Sequence, residues 1–127
     1  MSTIASDTVQ KIKSLVLEGI DLSQSTTAES DSFWKSLKEA GTEIWLDTGD
    51  IGAASELWSS EMSALTTNNT LLNKEVQKGI YDDFIREANS HLQDLDLRTR
   101  VVEIAFILNA RHGLRLVQTF GGKVSVE

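Results

Sequence analysis

Apolar residues recur at three- and four-residue intervals in the first part of the chain. Val9, Ile12, Leu15, Val16 and Ile20 mark one face of an amphipathic helix, with Asp7 as its N-cap and Gly19 as its stop. A polar run, 23–32, reads as a loop, after which Phe33, Trp34, Leu37 and Ala40 predict a short second helix ended by Gly41. The pattern then changes to continuous apolar runs closed by a polar residue. Glu43-Ile44-Trp45-Leu46-Asp47-Thr48 predicts one strand, Ala64-Leu65-Thr66-Thr67-Asn68-Asn69 a second, over about 64–68, and Lys123-Val124-Ser125-Val126-Glu127 a third.

Helical patterns separate these runs. Asp50 caps a segment whose Ile51, Ala54, Trp58 and Met62 share a face. Leu71, Leu72, Glu75, Val76 and Lys78 suit a short helix closed by Gly79, and Tyr81, Phe84, Ile85, Ala88, Leu92 and Leu95 suit another. Val101, Val102, Ile104, Ala105, Ile107, Leu108 and Ala110 are apolar almost all round, which predicts burial on two sides, and His112-Gly113 reads as the helix end. Strand, helix, strand predicts an α/β fold with a parallel sheet. In such sheets polar groups gather at the C-terminal ends of the strands, above an apolar core, which makes Asp47, Asn68 and Glu127 the candidate site.

Composition narrows the classes of function. The 127 residues amount to one domain, with 12 Lys and Arg against 19 Asp and Glu, a net charge of −7. No basic stripe of the kind that binds nucleic acid is present, since Arg98-Thr99-Arg100 is the densest basic stretch. No apolar run approaches the roughly eighteen residues of a membrane span, and Met1 to Asp7 has no basic n-region or apolar h-region, so a cytoplasmic protein is expected. Absence of cysteine removes disulfides, thiolate nucleophiles and cysteine metal sites. His91 and His112 lack partner ligands at metal spacing and read as structural, so no metal site is expected; no cofactor is expected either. Trp45 and Trp58 read as core, and Asp82-Asp83, Asp94 and Asp96 as solvated or capping charge.

The runs Trp45-Leu46-Asp47-Thr48, Leu65-Thr66-Thr67-Asn68 continued by Asn69-Thr70-Leu71-Leu72, and Gly122-Lys123-Val124-Ser125-Val126-Glu127 resemble transaldolase in order and spacing, over roughly 33–127. The resemblance implies the first three parallel strands of a partial TIM (β/α)8 barrel over 42–127, preceded by an N-terminal helical segment over 1–41. It also implies transfer of a dihydroxyacetone unit from sedoheptulose 7-phosphate to glyceraldehyde 3-phosphate, in the pentose phosphate pathway, through a lysine Schiff base. Asp47 is similar to the family's first-strand general acid/base, Asn68 to the second-strand asparagine that binds the dihydroxyacetone hydroxyl, and Glu127 to the third-strand glutamate that relays protons through a water.

Two departures accompany the likeness. The family's proline after the strand-two asparagine is Asn69 here, in a chain with no proline at all, although proline makes up about 5% of an average chain. The Schiff-base lysine belongs to a fourth strand, beyond Glu127. Lys74 and Lys78 fall on a surface helix, and Lys123 opens the third strand at the opposite end of the sheet. The expectation is therefore an N-terminal portion, inactive alone, with sugar phosphates as partners of the intact family and no nucleic acid or membrane. The alternative is a non-catalytic α/β interaction module that self-associates through the open edge of strand three.

Overall fold

Alternating local signals build a three-stranded parallel sheet with helices against one face. The structure, a computed structural model, describes residues 4–23 and 27–127. Of the polar run 23–32, residues 24–26 lie outside the described residues. Helix α1 (Ser6–Leu17) follows the predicted spacing and stops at Gly19, whose φ of 70° suits a residue without a Cβ. Its N-cap is Ala5 rather than Asp7, because the Ala5 carbonyl already accepts from the Val9 N–H. Asp7 lies in the first turn, where a carboxylate complements the helix dipole, and pairs with Lys11 at 2.9 Å. Helix α2 (Ser32–Glu39) is capped by Asp31, which accepts from the Phe33 and Trp34 N–H groups. It buries none of its residues.

Strand β1 (Ile44–Asp47) leads through Asp50, which accepts from the Ala53 N–H at 3.0 Å, into helix α3 (Ile51–Leu57). The helix is shorter than its apolar spacing predicts. Trp58 turns extended as its C-cap and packs on Phe120 at 4.9 Å between ring centroids, and Met62 instead opens strand β2 (Met62–Thr67), opposite Ile44. Helix α4 (Asn69–Gln77) follows at once, because Asn68 leaves the strand to accept from the Leu71 N–H. Helices α5 (Asp82–His91) and α6 (Leu97–Phe120) complete the crossover to strand β3 (Lys123–Val126). The strands lie in the order β1-β2-β3, both pairs parallel.

The helix expected to end at His112-Gly113 continues to Phe120 and ends at Gly121, with φ 70°. Gly113 keeps a helical backbone and marks a close approach instead: a Cβ there would lie 3.0 Å from Val126 Cγ2. Two-sided burial of α6 is also corrected. Ile107, Leu108, Leu116 and Phe120 are buried, but Val101, Val102 and Phe106 are 58%, 46% and 66% exposed. Nothing among the described residues covers that side.

Period two in the strands assigns the faces. Leu46, Leu65 and Val124 pack with Ala54, Leu116 and Phe120 between the sheet and α3 and α6. A second core joins Leu15 of α1 to Ala88, Leu92 and Ile107, and a third joins Leu72, Tyr81 and Leu108. Trp45 points to the uncovered face and is 57% exposed, contrary to its reading as core, while Trp58 is partly buried as expected. Two tethers hold the N-terminal segment. Arg111 of α6 donates to the Val16 and Glu18 carbonyls, and buried Glu61 accepts from the Ser30 hydroxyl and the Asp31 N–H. Among the described residues no helix is long and apolar enough to cross a membrane.

Candidate functional site

The parallel register brings the three predicted residues to one edge of the sheet. Asp47 pairs with Thr66, and Thr66 with Ser125, so these form one rung. Thr66 Oγ1 donates to Asp47 Oδ1 at 2.9 Å, and the Thr48 N–H donates to the Thr66 carbonyl at 3.0 Å. The Asp47 carboxylate is thereby held over the uncovered face. Glu127 stands two residues beyond Ser125, hence on the same face, and its N–H extends the ladder to the Thr67 carbonyl at 3.1 Å. Asp47 and Glu127 are both exposed. Their strands are two spacings apart, about 10 Å, which is room for a small polar ligand between two carboxylates.

Asn68 stands between them at the end of β2 and is half-buried. Its Oδ1 is committed to the Leu71 N–H at 3.0 Å, which caps α4 and fixes the side chain, while the amide NH2 remains to donate. Asn69 opens the helix at the position where proline would suit a first turn. The turn forms without it because the cap supplies the constraint.

Lysines are placed where the sequence predicts. Lys123 begins β3, opposite Ala64, at the other end of the strand from Glu127. Lys74 and Lys78 are exposed, on α4 and at its C-cap. Lys78 donates to Glu75 at 2.8 Å and to Asp50 at 3.0 Å, and these partners raise its pKa above the usual lysine value. An amine nucleophile needs the reverse shift. Among the described residues no group of three or more His, Asp or Glu could hold a metal ion.

Beneath the site lies a polar chain. His112, 1% exposed, bridges Tyr81 and the loop after β1: Nδ1 is 2.7 Å from the Tyr81 hydroxyl and Nε2 is 2.8 Å from the Gly49 carbonyl. Because a carbonyl only accepts, Nε2 carries the proton and Nδ1 accepts from the hydroxyl. Arg115 donates to the same hydroxyl oxygen at 2.9 Å. Burial pushes the His112 pKa down and that of Tyr81 up, so both are neutral over the ordinary pH range. Sequence marked His112 as structural, and it is buried, but its partners stand 31 and 63 residues away with no signal of their own. Thr66 and Ser125 also escaped the sequence reading. Their signal was a polar residue in an apolar run, two positions before each candidate.

An open groove of about 760 Å³ lies along α6 and β3, lined by Val101, Val102, Phe106, Val124 and Val126 and bordered by Asn69 and Glu127. It borders the candidate site but runs along the helix-covered side, and it is almost wholly apolar. Compared with protein-family models and with curated proteins, the chain matches none.

Proposed function

We propose that this chain supplies the first three strands of a transaldolase-type (β/α)8 barrel and the acid/base side of its site. One observation carries the reading: Asp47, Asn68 and Glu127 close three adjacent parallel strands that follow one another in chain order. In this reading the substrate is a ketose phosphate such as sedoheptulose 7-phosphate, and the product a dihydroxyacetone unit passed to an aldehyde such as glyceraldehyde 3-phosphate. Asp47, oriented by Thr66, takes the proton of the hydroxyl whose deprotonation cleaves the carbon–carbon bond. Asn68 donates its amide to a dihydroxyacetone hydroxyl, and Glu127 passes protons through a water during imine formation and hydrolysis. Carboxylates on strands about 10 Å apart divide these transfers between the two sides of the substrate. The imine lysine comes from a fourth strand paired with the free edge of β3, no cofactor takes part, and the reaction belongs to the cytoplasm.

The test adds strands four to eight. The chain is fused to a polypeptide carrying strands four to eight of a transaldolase barrel, incubated with sedoheptulose 7-phosphate and reduced with borohydride. A dihydroxyacetone adduct on the fourth-strand lysine and aldol transfer are expected. Asp47→Asn should lower transfer and the dihydroxyacetone adduct by about 10²–10⁴-fold, while the imine of the intact, uncleaved substrate is still trapped. A folded fusion that yields neither adduct nor transfer refutes the proposal.

A second reading rests on the apolar side of α6. Val101 and Phe106 are more than half exposed beside the open edge of β3, the features of a surface that pairs with another chain. In that reading the protein is a non-catalytic module that self-associates. Sedimentation at rising concentration distinguishes the two, since a monomer under all conditions excludes self-association.

A further inference from the structure

We propose that the chain Arg115–Tyr81–His112–Gly49 is a pH-sensitive clamp, which locks the loop after β1 and the corner between α4 and α5 onto α6 and releases them when His112 takes a proton. The geometry is specific to a neutral imidazole. Nδ1 accepts from the Tyr81 hydroxyl, Nε2 donates to the Gly49 carbonyl, and Arg115 donates to the Tyr81 oxygen, so each donor in the series meets an acceptor. A second proton on His112 must go to Nδ1. The Tyr81 oxygen then faces two donors, and its own hydroxyl proton loses its acceptor in a buried setting.

The surrounding charge makes that state worse. From α6 the pair feels Arg115 and Arg111, and from the end of α4 Lys78, all positive; among the described residues Glu75 of α4 is the carboxylate acting on it, and it is engaged by Lys78. Asp50, in the loop after β1, is likewise turned to Lys78. From the loop after β1 the Gly49 carbonyl reaches the ring, and from α5 Phe84 packs edge-on against Tyr81. An imidazolium at this point is therefore relieved by moving Tyr81 or His112 into water rather than by a local partner. The elements freed are those that begin at Gly49 and Tyr81. They flank the candidate site, because Asp47 precedes the first and Asn68 caps the helix that leads to the second.

The experiment is native-state amide exchange by NMR between pH 7.5 and 5, at several low urea concentrations and corrected for intrinsic rates. The Ala54 and Ile85 amides, bonded to the Asp50 and Tyr81 carbonyls, report the two clamped segments; Leu65 and Leu116 report the centre. Protection of Ala54 and Ile85 should fall about tenfold per pH unit below the ordinary histidine value. It should do so with a shallow urea dependence, while Leu65 and Leu116 keep greater protection and a steep one. His112→Gln, which cannot titrate, should abolish the pH dependence. Tyr81→Phe, which removes a bond made only to the neutral ring, should leave the onset at the ordinary histidine value but end the decline at a higher pH, a narrowing that a purely structural role would not produce. The clamp is wrong if the Ala54 and Ile85 amides open only with the centre, with equal protection and equal urea slope, or if their protection ignores pH.

Discussion

Gly122 shows how a single hydrogen atom sets the register of the third strand. A Cβ at this position would stand 3.0 Å from the Ser63 carbonyl oxygen and 3.3 Å from the Trp58 ring. The carbonyl belongs to the main chain of β2 and cannot swing aside, so β3 would have to shift away from its neighbour. Gly122→Ala should therefore destabilise by about 1–3 kcal/mol, read as a lower urea midpoint at unchanged slope. Gly113 is the contrasting case. Its Cβ would meet Val126 Cγ2, a side chain in the last strand, and a helix interior gains about 0.5–1 kcal/mol when glycine becomes alanine. The two effects oppose, so Gly113→Ala should stay within about 1 kcal/mol of the wild type. A larger loss at Gly113 than at Gly122 would show that the helix, not the turn, governs the seating of β3.

At the scale of elements, α6 divides its work between two sides. Leu116 is fully buried and Phe120 nearly so against the sheet, and a leucine removed from water in this way contributes about 1.5–3 kcal/mol. The opposite side, with Val101, Val102 and Phe106, contributes little to the monomer because it remains wet. Phe106→Ser should leave thermal stability nearly unchanged, within about 0.5 kcal/mol, while raising the concentration at which the protein associates. A fall in melting temperature of many degrees would mean that Phe106 is packed in the monomer. The same helix shows where sequence was legible and where it was not. Its apolar content was plain in the spacing from Val101 to Ala110, and Asp96 and Gly121 bound it by local chemistry that any reader of caps can find. Its continuation through Gly113 and its one-sided burial depend on Val126 and on neighbours absent from that side, which no local pattern records. The same division holds at the site. Asp47, Asn68 and Glu127 were visible as polar residues closing apolar runs, whereas the bond from Thr66 to Asp47 and the link from His112 to Gly49 arise only once strands pair and helices pack.

Over the whole molecule, Glu61 and His112 tie distant segments to the sheet, and their shifts shape how stability depends on pH. Buried Glu61 joins the start of β2 to the segment before α2, and the Ser30 hydroxyl that bonds it lowers its pKa from 4.5 to about 2. The unfolded chain thus takes up this proton more readily, so the stabilisation is complete above about 4.5 and is lost as pH falls toward 2. His112 joins α6 to the loop after β1, and burial lowers its pKa from 6.5. Here too the unfolded state binds the proton first, so the contribution is complete above about 6.5 and declines as pH falls below that value. On the acid side a plot of urea midpoint against pH should therefore be level near neutrality, decline first below the histidine value, and decline again between about 4.5 and 2. His112→Gln should remove the first decline alone and Glu61→Gln should make the second shallower without touching the first, because the two groups sit in separate parts of the fold, while the helix-capping carboxylates Asp50 and Asp96, likewise held below the usual range, carry the rest of the second. If the two variants instead lose the same limb of the curve, the N-terminal tether and the clamp at Gly49 open as one unit, and the segment before β1 is coupled to the candidate site through the sheet.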